Sequence, residues 1–213
     1  MKITDKLVLH IKQFGVLKTF LDVIYKIVYV LFGWRTKVLF QLKYEINYQK
    51  HCNAVLNSGV VAKELSYEDF LKGDPHCFNQ VKLDIVKGRF AIKDVFYPIG
   101  IVKENKLVYS MWIMLPHKCT YQDTYGIPLA EDEALLLDDY CHTSFRGLGF
   151  HRTMADFRLK KIYELGKKRA VVYVLSRNKP AMKVQFHSGF RMTACIKVIE
   201  FMNKRKVKIQ KIN

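Results

Sequence analysis

The sequence predicts a mixed α/β (α+β) domain with a central, mostly antiparallel sheet of six or seven strands and an extra amphipathic helix at the N-terminus. Three observations lead to this fold class. Apolar and polar residues alternate over 40–48, as in a half-buried strand. Two apolar runs, 95–102 and 107–115, flank a short polar turn, as in an antiparallel hairpin. A strand, a glycine turn and a helix then follow one another over 134–165.

Length and charge limit the classes of protein to consider. The 213 residues, half of them apolar, are enough for one domain with its own core and exclude a disordered chain. The formal charge is +17, and residues 151–213 alone hold 17 basic and 3 acidic side chains. This imbalance favours a polyanionic partner, which could be a phosphate-bearing ligand, an anionic lipid surface or a nucleic acid.

The cysteines and histidines predict neither a disulfide framework nor a metal site. The five cysteines are scattered and form no C-x-x-C pair. The seven histidines form no H-x-x-x-H or H-E-x-x-H pair. We therefore expect a cytoplasmic protein without a metal cofactor.

The first predicted unit, residues 1–36, is an apolar and basic helix. Residues 7–34 are rich in Leu, Val, Ile, Phe and Tyr. Lys18, Asp22 and Lys26 recur every four positions and share one helical face. Three charges within about 20 residues disfavour a simple membrane span. Two alternatives stay open: a helix lying on the inner face of the membrane, or a helix covering an apolar face of its own domain.

Before the glycine turn, the second predicted unit, residues 37–213, has the hairpin and a short helix. Ser66 followed by Asp69 is typical of a capping box that opens a helix ending near Gly73. The strand over 134–141 then leads into the turn Arg-Gly-Leu-Gly-Phe-His at 146–151. Glycines let the backbone approach a ligand, and the start of the following helix adds partial positive charge. The turn therefore predicts a phosphate-binding site.

Two common phosphate motifs fit this turn poorly. The P-loop pattern G-x-x-x-x-G-K-[ST] is absent from the sequence. The dinucleotide fingerprint needs a third glycine at the position of Arg152 and an acidic residue where Ser176 and Arg177 stand. Neither motif explains the turn.

The turn resembles the signature of the GNAT acyltransferase superfamily, R/Q-x-x-G-x-G/A. Here it is Arg146-x-x-Gly149-x-His151, with His151 in place of the last small residue. The hairpin at 95–115 falls where the family has its second and third strands. The family's downstream N-x-x-A and G-F spacing is matched by Asn178, Ala181, Gly189 and Phe190.

The resemblance implies a reaction and a co-substrate. The acyl group, expected to be acetyl, would pass from acetyl-CoA or another acyl-CoA directly to an amine or hydroxyl of a small or lipid-linked acceptor. The strand before the turn would separate from the next one and receive the pantetheine arm. The residues that the resemblance and the turn imply for coenzyme binding are Cys141, His142, Thr143, Arg146, Gly147, Leu148, Gly149, Phe150, His151, Arg152 and Asn178.

The candidate bases lie on or just past the strand that precedes the turn. They are Asp138, Asp139 and His142, of which any one could accept the acceptor's proton. Strand alternation sends the two aspartates to opposite faces, so only one carboxylate is expected to reach the cleft. Cys141 has no recognisable partner base and is predicted to be a small buried residue.

The proton donor for the departing thiolate has two candidates in the sequence. Many family members carry a Tyr where this chain has Gln185. Tyr173 in the adjacent strand and His187 in the following helix are candidate replacements. A non-catalytic protein of this fold, which binds acyl-CoA, a membrane surface or a protein partner, stays open as the alternative.

The last basic segment, residues 204–211, is predicted to be a tail. Nucleic-acid binding through it is disfavoured, because no aromatic residues are interleaved with its charges. The tail is instead expected to be solvated or, with the N-terminal helix, to meet an anionic membrane surface.

Overall fold

The structure of the chain is a computed structural model. The residues that it describes are 16–17, 19–20, 23–24, 35–51, 62–117, 124–201 and 204–212. Within these ranges, residues 152–153 are described by their backbone alone.

The described part contains eight strands and five α-helices. The strands are β1 (Arg35–Glu45), β2 (Ala62–Glu64), β3 (Phe96–Lys103), β4 (Lys106–Met114), β5 (Glu133–Cys141), β6 (Arg169–Leu175), β7 (Arg191–Phe201) and β8 (Lys204–Lys211). The helices are α1 (Tyr48–His51), α2 (Tyr67–Leu71), α3 (Gln80–Phe90), α4 (Phe150–Glu164) and α5 (Lys179–His187). One sheet holds all of these strands in the order β2-β3-β4-β5-β6-β1-β7-β8, and only the β5–β6 pair is parallel. The predicted fold class is confirmed, with one strand more than expected.

The predicted alternating strand is β1, which lies in the middle of the sheet. It pairs antiparallel with β6 on one side and with β7 on the other. Leu39 and Leu42 are buried, whereas Tyr48, placed by the sequence in the strand, begins α1 instead. β1 is therefore held by strands that lie more than a hundred residues further along the chain.

Most of the predicted N-terminal helix, residues 1–36, lies outside the described residues. Six positions between 16 and 24 are described, and all six are helical. β1 begins at Arg35, just inside that predicted unit. Within the described ranges, no helix is long and apolar enough to cross a membrane.

The local predictions for the short helix and the hairpin are confirmed. Ser66 caps α2: its side chain accepts from the Asp69 N–H, and the Asp69 carboxylate accepts from the Ser66 N–H at 3.0 Å. β3 and β4 form the hairpin, joined by Glu104 and Asn105. Both turn residues have positive φ, 50° and 58°, as the right-handed twist of a two-residue hairpin requires.

Helices cover both faces of the sheet. On one face, which we call the α4 face, Met154 and Ile162 of α4 pack with Leu136 of β5. On the other, the α3 face, Phe70 of α2 and residues of α3 pack with Leu137 of β5 in a separate cluster. Neighbouring residues of a strand point to opposite sides, so the two clusters lie on opposite faces.

The segment predicted to be a basic tail is the edge strand β8. It pairs with β7 along its whole length, from Phe201↔Lys204 to Ala194↔Lys211. Val207 packs against Leu39 and neighbouring side chains of the sheet. The prediction was wrong because five of these eight residues are basic, so the sequence has no clear apolar alternation. Val207 is the residue of β8 that is partly buried.

Candidate functional site

A β-bulge in β5 determines which side chains reach the site. The register of β4 and β5 shifts after Ser110, and there two residues of β5, Asp138 and Asp139, oppose a single residue of β4. Asp138 has a left-handed backbone with φ 51°, which aspartate tolerates better than most residues. The extra residue resets the alternation of the strand. Asp139 and Cys141 therefore point to the α4 face, and Asp138 and Tyr140 to the α3 face.

Beyond the first half of β5, the sheet opens. The parallel ladder joins 133–136 of β5 to 169–172 of β6 and then ends. The rest of β5 pairs with β4, and the rest of β6 pairs with β1. An edge of β5 therefore faces the gap between the two strands, just before the glycine turn.

A cleft of about 800 Å³ lies between the glycine turn and α5. Its size is within the range of cofactor and ligand sites. The lining residues come from the end of β5, the turn, the start of α4 and one side of α5. They are Cys141, Phe145, Arg146, Gly147, Gly149, Phe150, His151, Lys183, Val184, His187 and Ser188.

The glycines shape the turn and leave it open. Gly147 and Gly149 have φ values of 82° and 79°, a left-handed conformation in which side chains are strained. Among the described atoms, none comes within 4 Å of where a Cβ would lie on either glycine. Arg146 fixes the turn to the strand, since its Nε donates to the Cys141 carbonyl at 3.3 Å. Gly149 is the N-cap of α4, so partial positive charge is directed at the cleft.

Six of the residues predicted for coenzyme binding line this cleft: Cys141, Arg146, Gly147, Gly149, Phe150 and His151. The remaining predicted side chains have other surroundings. His142 caps the 3-10 turn at Thr143–Phe145, its Nδ1 accepting from the Ser144 N–H at 3.2 Å. Leu148 is exposed, and Asn178 caps α5 by accepting from the Ala181 N–H. The side chain of Arg152 lies outside the described part.

The sequence analysis missed most of the α5 side of the cleft. Lys183, Val184, His187 and Ser188 follow the i, i+1, i+4, i+5 spacing of one helical face. This spacing, with two basic groups one turn apart, was the available signal. Gln185 points the other way: it is buried, and its Oε1 accepts from Arg158 at 3.4 Å.

Asp139 lies at the centre of a hydrogen-bonded network on the α4 face, in which Arg158 is buried and Asp139 and His151 are partly exposed. Its carboxylate binds Arg158 at 3.1 Å and His151 Nε2 at 3.2 Å. Burial alone would raise the pKa of Asp139, but Arg158 and His151 hold that pKa below its ordinary value. Nearby, the buried hydroxyl of Tyr109 makes no hydrogen bond to a described residue, and burial with Asp139 raises its pKa well above the usual range.

Asp138 has a matching arrangement on the α3 face. Its carboxylate binds Lys82 at 2.8 Å and Arg89 at 2.6 Å, both from α3. Burial acts to raise the pKa of Asp138, but Arg89 and Lys82 keep that pKa low. The two aspartates point to opposite faces, as expected, but the bulge reverses which of them does so: plain alternation from Leu137 would send Asp138 and not Asp139 to the α4 face.

A smaller cavity of about 190 Å³ lies on the α3 face beside the bulge. Asp139 lies between the two sites: it borders this cavity, while its carboxylate points to the α4 face and binds His151 of the large cleft. The walls are mainly aromatic. The lining residues are Phe70, Cys77, Phe78, Lys82, Ser110, Trp112, Asp138, Asp139 and Tyr140.

Tyr173, a candidate acid, is not brought to the cleft. It packs with Leu135 and Val171 in a cluster of the α3 face. Its hydroxyl accepts from Gln41 Nε2 at 3.2 Å. Burial, offset in part by Gln41, raises the pKa of Tyr173 to about 12. Within the described ranges, no group of three or more His, Cys, Asp or Glu side chains could hold a metal ion.

Comparison with known proteins defines the fold. No protein-family model and no curated protein sequence matches the chain. Among solved structures, a GCN5-related N-acetyltransferase-like protein from Streptococcus suis matches with a TM-score of 0.54 and 12% identity, over 83% of this chain and 67% of that one. A Staphylococcus epidermidis protein of unknown function matches with a TM-score of 0.54 and 13% identity, over 84% and 66%.

A third structure that matches contains a GCN5-related glucosamine N-acetyltransferase region within a fungal multi-domain enzyme. Its TM-score is 0.50 at 12% identity, over 78% of this chain and 21% of that one. The chain spans about two thirds of the length of the two bacterial proteins. These likenesses concern architecture, and they agree with the motif at 146–151. The chain has a GNAT-like fold.

Proposed function

We propose that the chain is an acyltransferase that moves an acyl group, expected to be acetyl, from acyl-CoA to an amine or hydroxyl. The observation that carries this proposal is the open glycine turn at the N-terminus of α4, which borders a cleft of about 800 Å³. The alternative, a non-catalytic protein of the same fold, would use the same turn to bind coenzyme.

The cleft's own groups fit a coenzyme with a pyrophosphate. The turn offers backbone amides at the start of α4, where an anion is favoured. Arg146 lies on the same side of the cleft, and Lys183 and His187 lie on α5. The edge of β5 at Cys141 would bind the pantetheine amides as a further strand would.

The smaller cavity is suited to the reacting group of the acceptor. It lies beside the bulge, on the face of the sheet opposite to the Asp139 carboxylate and His151. A volume of about 190 Å³ admits a small group rather than a whole large molecule. Phe70 and Trp112 stack at 5.3 Å and form a flat wall. The acceptor, small or lipid-linked, would enter from the α3 face and attack the thioester directly.

A binding assay and a transfer assay test the proposal. Purified protein is titrated with coenzyme A, acetyl-CoA and palmitoyl-CoA while its melting temperature is measured, because a ligand of the folded state raises stability. Radiolabelled acetyl-CoA is then supplied with cell extract. Gly149→Trp, which closes the turn, should abolish both signals, and Lys183→Glu should weaken binding without altering the turn.

Gly88→Trp is the matched control, because Gly88 is exposed on α3 and away from the cleft. It should bind and transfer as the wild type does. Equal labelling by wild type and Gly149→Trp would refute the proposed acyltransferase activity. Coenzyme binding without transfer to any acceptor would support the non-catalytic alternative.

We also propose that the enzyme works at an anionic membrane surface on the cytoplasmic side. Support comes from a basic edge, which we define by eight cationic residues around the single carboxylate of Glu200. Lys197 and Lys208 are directly paired across β7 and β8 despite their like charge. Burial and three neighbouring arginines lower the pKa of Lys37, against the opposing effect of Glu200. The eight residues are Arg35, Lys37, Arg177, Lys197, Lys204, Arg205, Lys206 and Lys208.

Exposed apolar side chains lie upstream of this edge in the sequence. Val16, Leu17 and Phe20 are helical, at least 60% exposed and on one helical face. Apolar side chains combined with basic groups are typical of segments that bind in the interface of anionic bilayers. An acidic protein or a nucleic acid would need the charges but not the apolar residues.

Co-sedimentation of the full chain with lipid vesicles tests the location. We expect binding to vesicles containing phosphatidylserine and little binding to neutral phosphatidylcholine vesicles. Lys206→Glu with Lys208→Glu should abolish it. Lys103→Glu with Lys106→Glu makes the same charge change at the β3–β4 hairpin and should not. Equal binding to both vesicle types, or equal loss in both variants, would contradict the proposal.

A further inference from the structure

His151 occupies a position where the matching motif has Gly or Ala. The structure explains how a larger side chain fits there. The ring turns from the start of α4 towards β5, and its Nε2 lies 3.2 Å from Asp139 Oδ2. The Tyr109 ring meets it edge to face, with centroids 6.3 Å apart. His151 is nevertheless 37% exposed, and it lines the large cleft.

Asp139 is well placed to hold the histidine. Arg158, only 1% exposed, binds the same carboxylate at 3.1 Å and is itself bonded to Gln185 of α5. Arg158 of α4 therefore fixes the carboxylate, and Gln185 of α5 in turn holds Arg158. An ionised carboxylate only accepts hydrogen bonds, so His151 Nε2 carries the hydrogen and Nδ1 holds the lone pair.

The location matches the need for proton transfer. Asp139 lies in β5 beside the acceptor cavity, and its carboxylate holds His151 in the coenzyme cleft on the other face, where β5 and β6 separate. Of the other candidates, His142 caps a turn and Tyr173 packs on the α3 face. His187 lines the cleft from α5, but its Nδ1 is bonded to the Lys183 carbonyl at 2.8 Å. Gln185 is turned inward to Arg158.

We propose that His151 is the proton-transfer residue of the acyl transfer and that Asp139 is its positioning residue; this inference rests on the function proposed above. The acceptor nitrogen or oxygen forms a bond to the thioester carbonyl carbon, and the carbon–sulfur bond breaks with its electron pair on sulfur. The acceptor's proton moves to His151 Nδ1 and from there to the thiolate. Coenzyme A leaves as the thiol, and His151 returns to its neutral state.

Several titratable and charged groups surround His151. Asp139 and Cys141 come from β5, Tyr109 from β4 and Arg158 from α4, and the turn and α5 contribute Arg146, Lys183 and His187 to the same cleft. Asp139 holds the ring through Nε2. Asp139→Asn should therefore lower kcat with an unchanged KM for acetyl-CoA, and Asp139→Glu, which keeps the carboxylate, should restore part of kcat.

The variant His151→Ala gives the sharpest test, because it restores a residue type that the motif itself uses. Radiolabelled acetyl transfer at saturating acetyl-CoA is measured with the extract fraction that the wild type labels. We expect a loss of about 100-fold, as for removal of a general acid–base group, with an unchanged melting-temperature shift by coenzyme A. Added imidazole should restore part of the rate. His76→Gln, in an exposed loop, should match the wild type.

The outcomes separate this inference from the function on which it rests. If the wild type and His151→Ala transfer the acetyl group equally fast, the role of His151 is refuted and the proposed acyltransferase activity is supported. If His151→Ala loses the coenzyme-induced shift together with transfer, His151 binds coenzyme and the inference is again wrong. An Asp139→Asn variant with the kcat of the wild type would refute the positioning role. A wild type that labels nothing would refute both proposals.

Discussion

Asp138 and Asp139 are neighbours in β5, and each binds two basic side chains from a different helix. Asp138 binds Arg89 and Lys82 of α3, and Asp139 binds Arg158 and His151 of α4. Each carboxylate thus has one buried arginine and one partly exposed partner. The difference lies in the second partner: Lys82 also lines the small cavity, whereas His151 also lines the large cleft.

The largest expected effect comes from removing the buried arginine on each face. Arg158→Ala removes the common partner of Asp139 and of the buried Gln185, and we expect it to lower the free energy of unfolding by about 3 kcal/mol. Arg89→Ala should cost about 2 kcal/mol, because Arg89 and Asp138 are more exposed than Arg158 and Asp139. Urea unfolding of both variants measures the difference. A larger loss for Arg89→Ala would reverse the comparison.

Deleting Asp138 tests the bulge that separates the two carboxylates. Without the extra residue, β5 alternates regularly, so Asp139 and Cys141 keep the α4 face. The strand loses its local bend beside the gap to β6, and we expect coenzyme A affinity to fall about tenfold, or about 1.4 kcal/mol. Isothermal titration of the folded variant measures it. Unchanged affinity would show that the bulge does not shape the cleft.

Acid should remove the stability that the ionised carboxylates of Asp138 and Asp139 provide. The pKa of Asp138 and that of Asp139 are lowered in the folded state, so the unfolded chain binds more protons. The ionised carboxylates therefore stabilise the protein above about pH 4, and this stability is lost as the pH falls through the folded-state pKa. The advantage of wild type over Asp138→Asn and over Asp139→Asn should narrow from about pH 5 to about pH 2. Urea unfolding across this range measures it, and a constant advantage would contradict the pKa directions.

The smallest effect is expected for the partly exposed lysine. Lys82→Gln should lower the free energy of unfolding by under about 1 kcal/mol, because exposed ion pairs contribute little. This loss should vanish in about 1 M salt, where such pairs are screened. Urea unfolding at low and high salt measures both values. A loss that salt leaves unchanged would indicate that Lys82 stabilises by packing.

Local signals in the sequence predicted the elements that depend on neighbouring residues. The capping box at Ser66, the hairpin and the glycine turn all depend on side chains within a few positions. The bulge at Asp138 could not be predicted, because an extra residue in a strand has no composition of its own. Its place depends on how β5 meets β4 across the sheet.

Cleft residues that are close together in the sequence could be predicted, whereas most of those contributed by a distant helix could not. The turn residues Gly147, Gly149 and His151 line the cleft as consecutive positions of one motif. Lys183 was missed, and His187 was named only as a candidate acid, because both reach the cleft through the packing of α5 opposite the turn. Tyr173 lies in β6, next to the first half of β5, but strand parity turns its side chain to the α3 face.

The central place of β1 sets an order for assembly during synthesis. Leu39 is among the first described residues to be made, yet its partners in the ladders are Leu175 and Ile196. The middle of the sheet therefore stays open until almost all of the 213 residues have been translated, and its closure brings together distant parts of the chain. Until then the apolar face of β1 needs temporary cover, so nascent chains should depend on chaperones more than the stability of the finished fold would suggest.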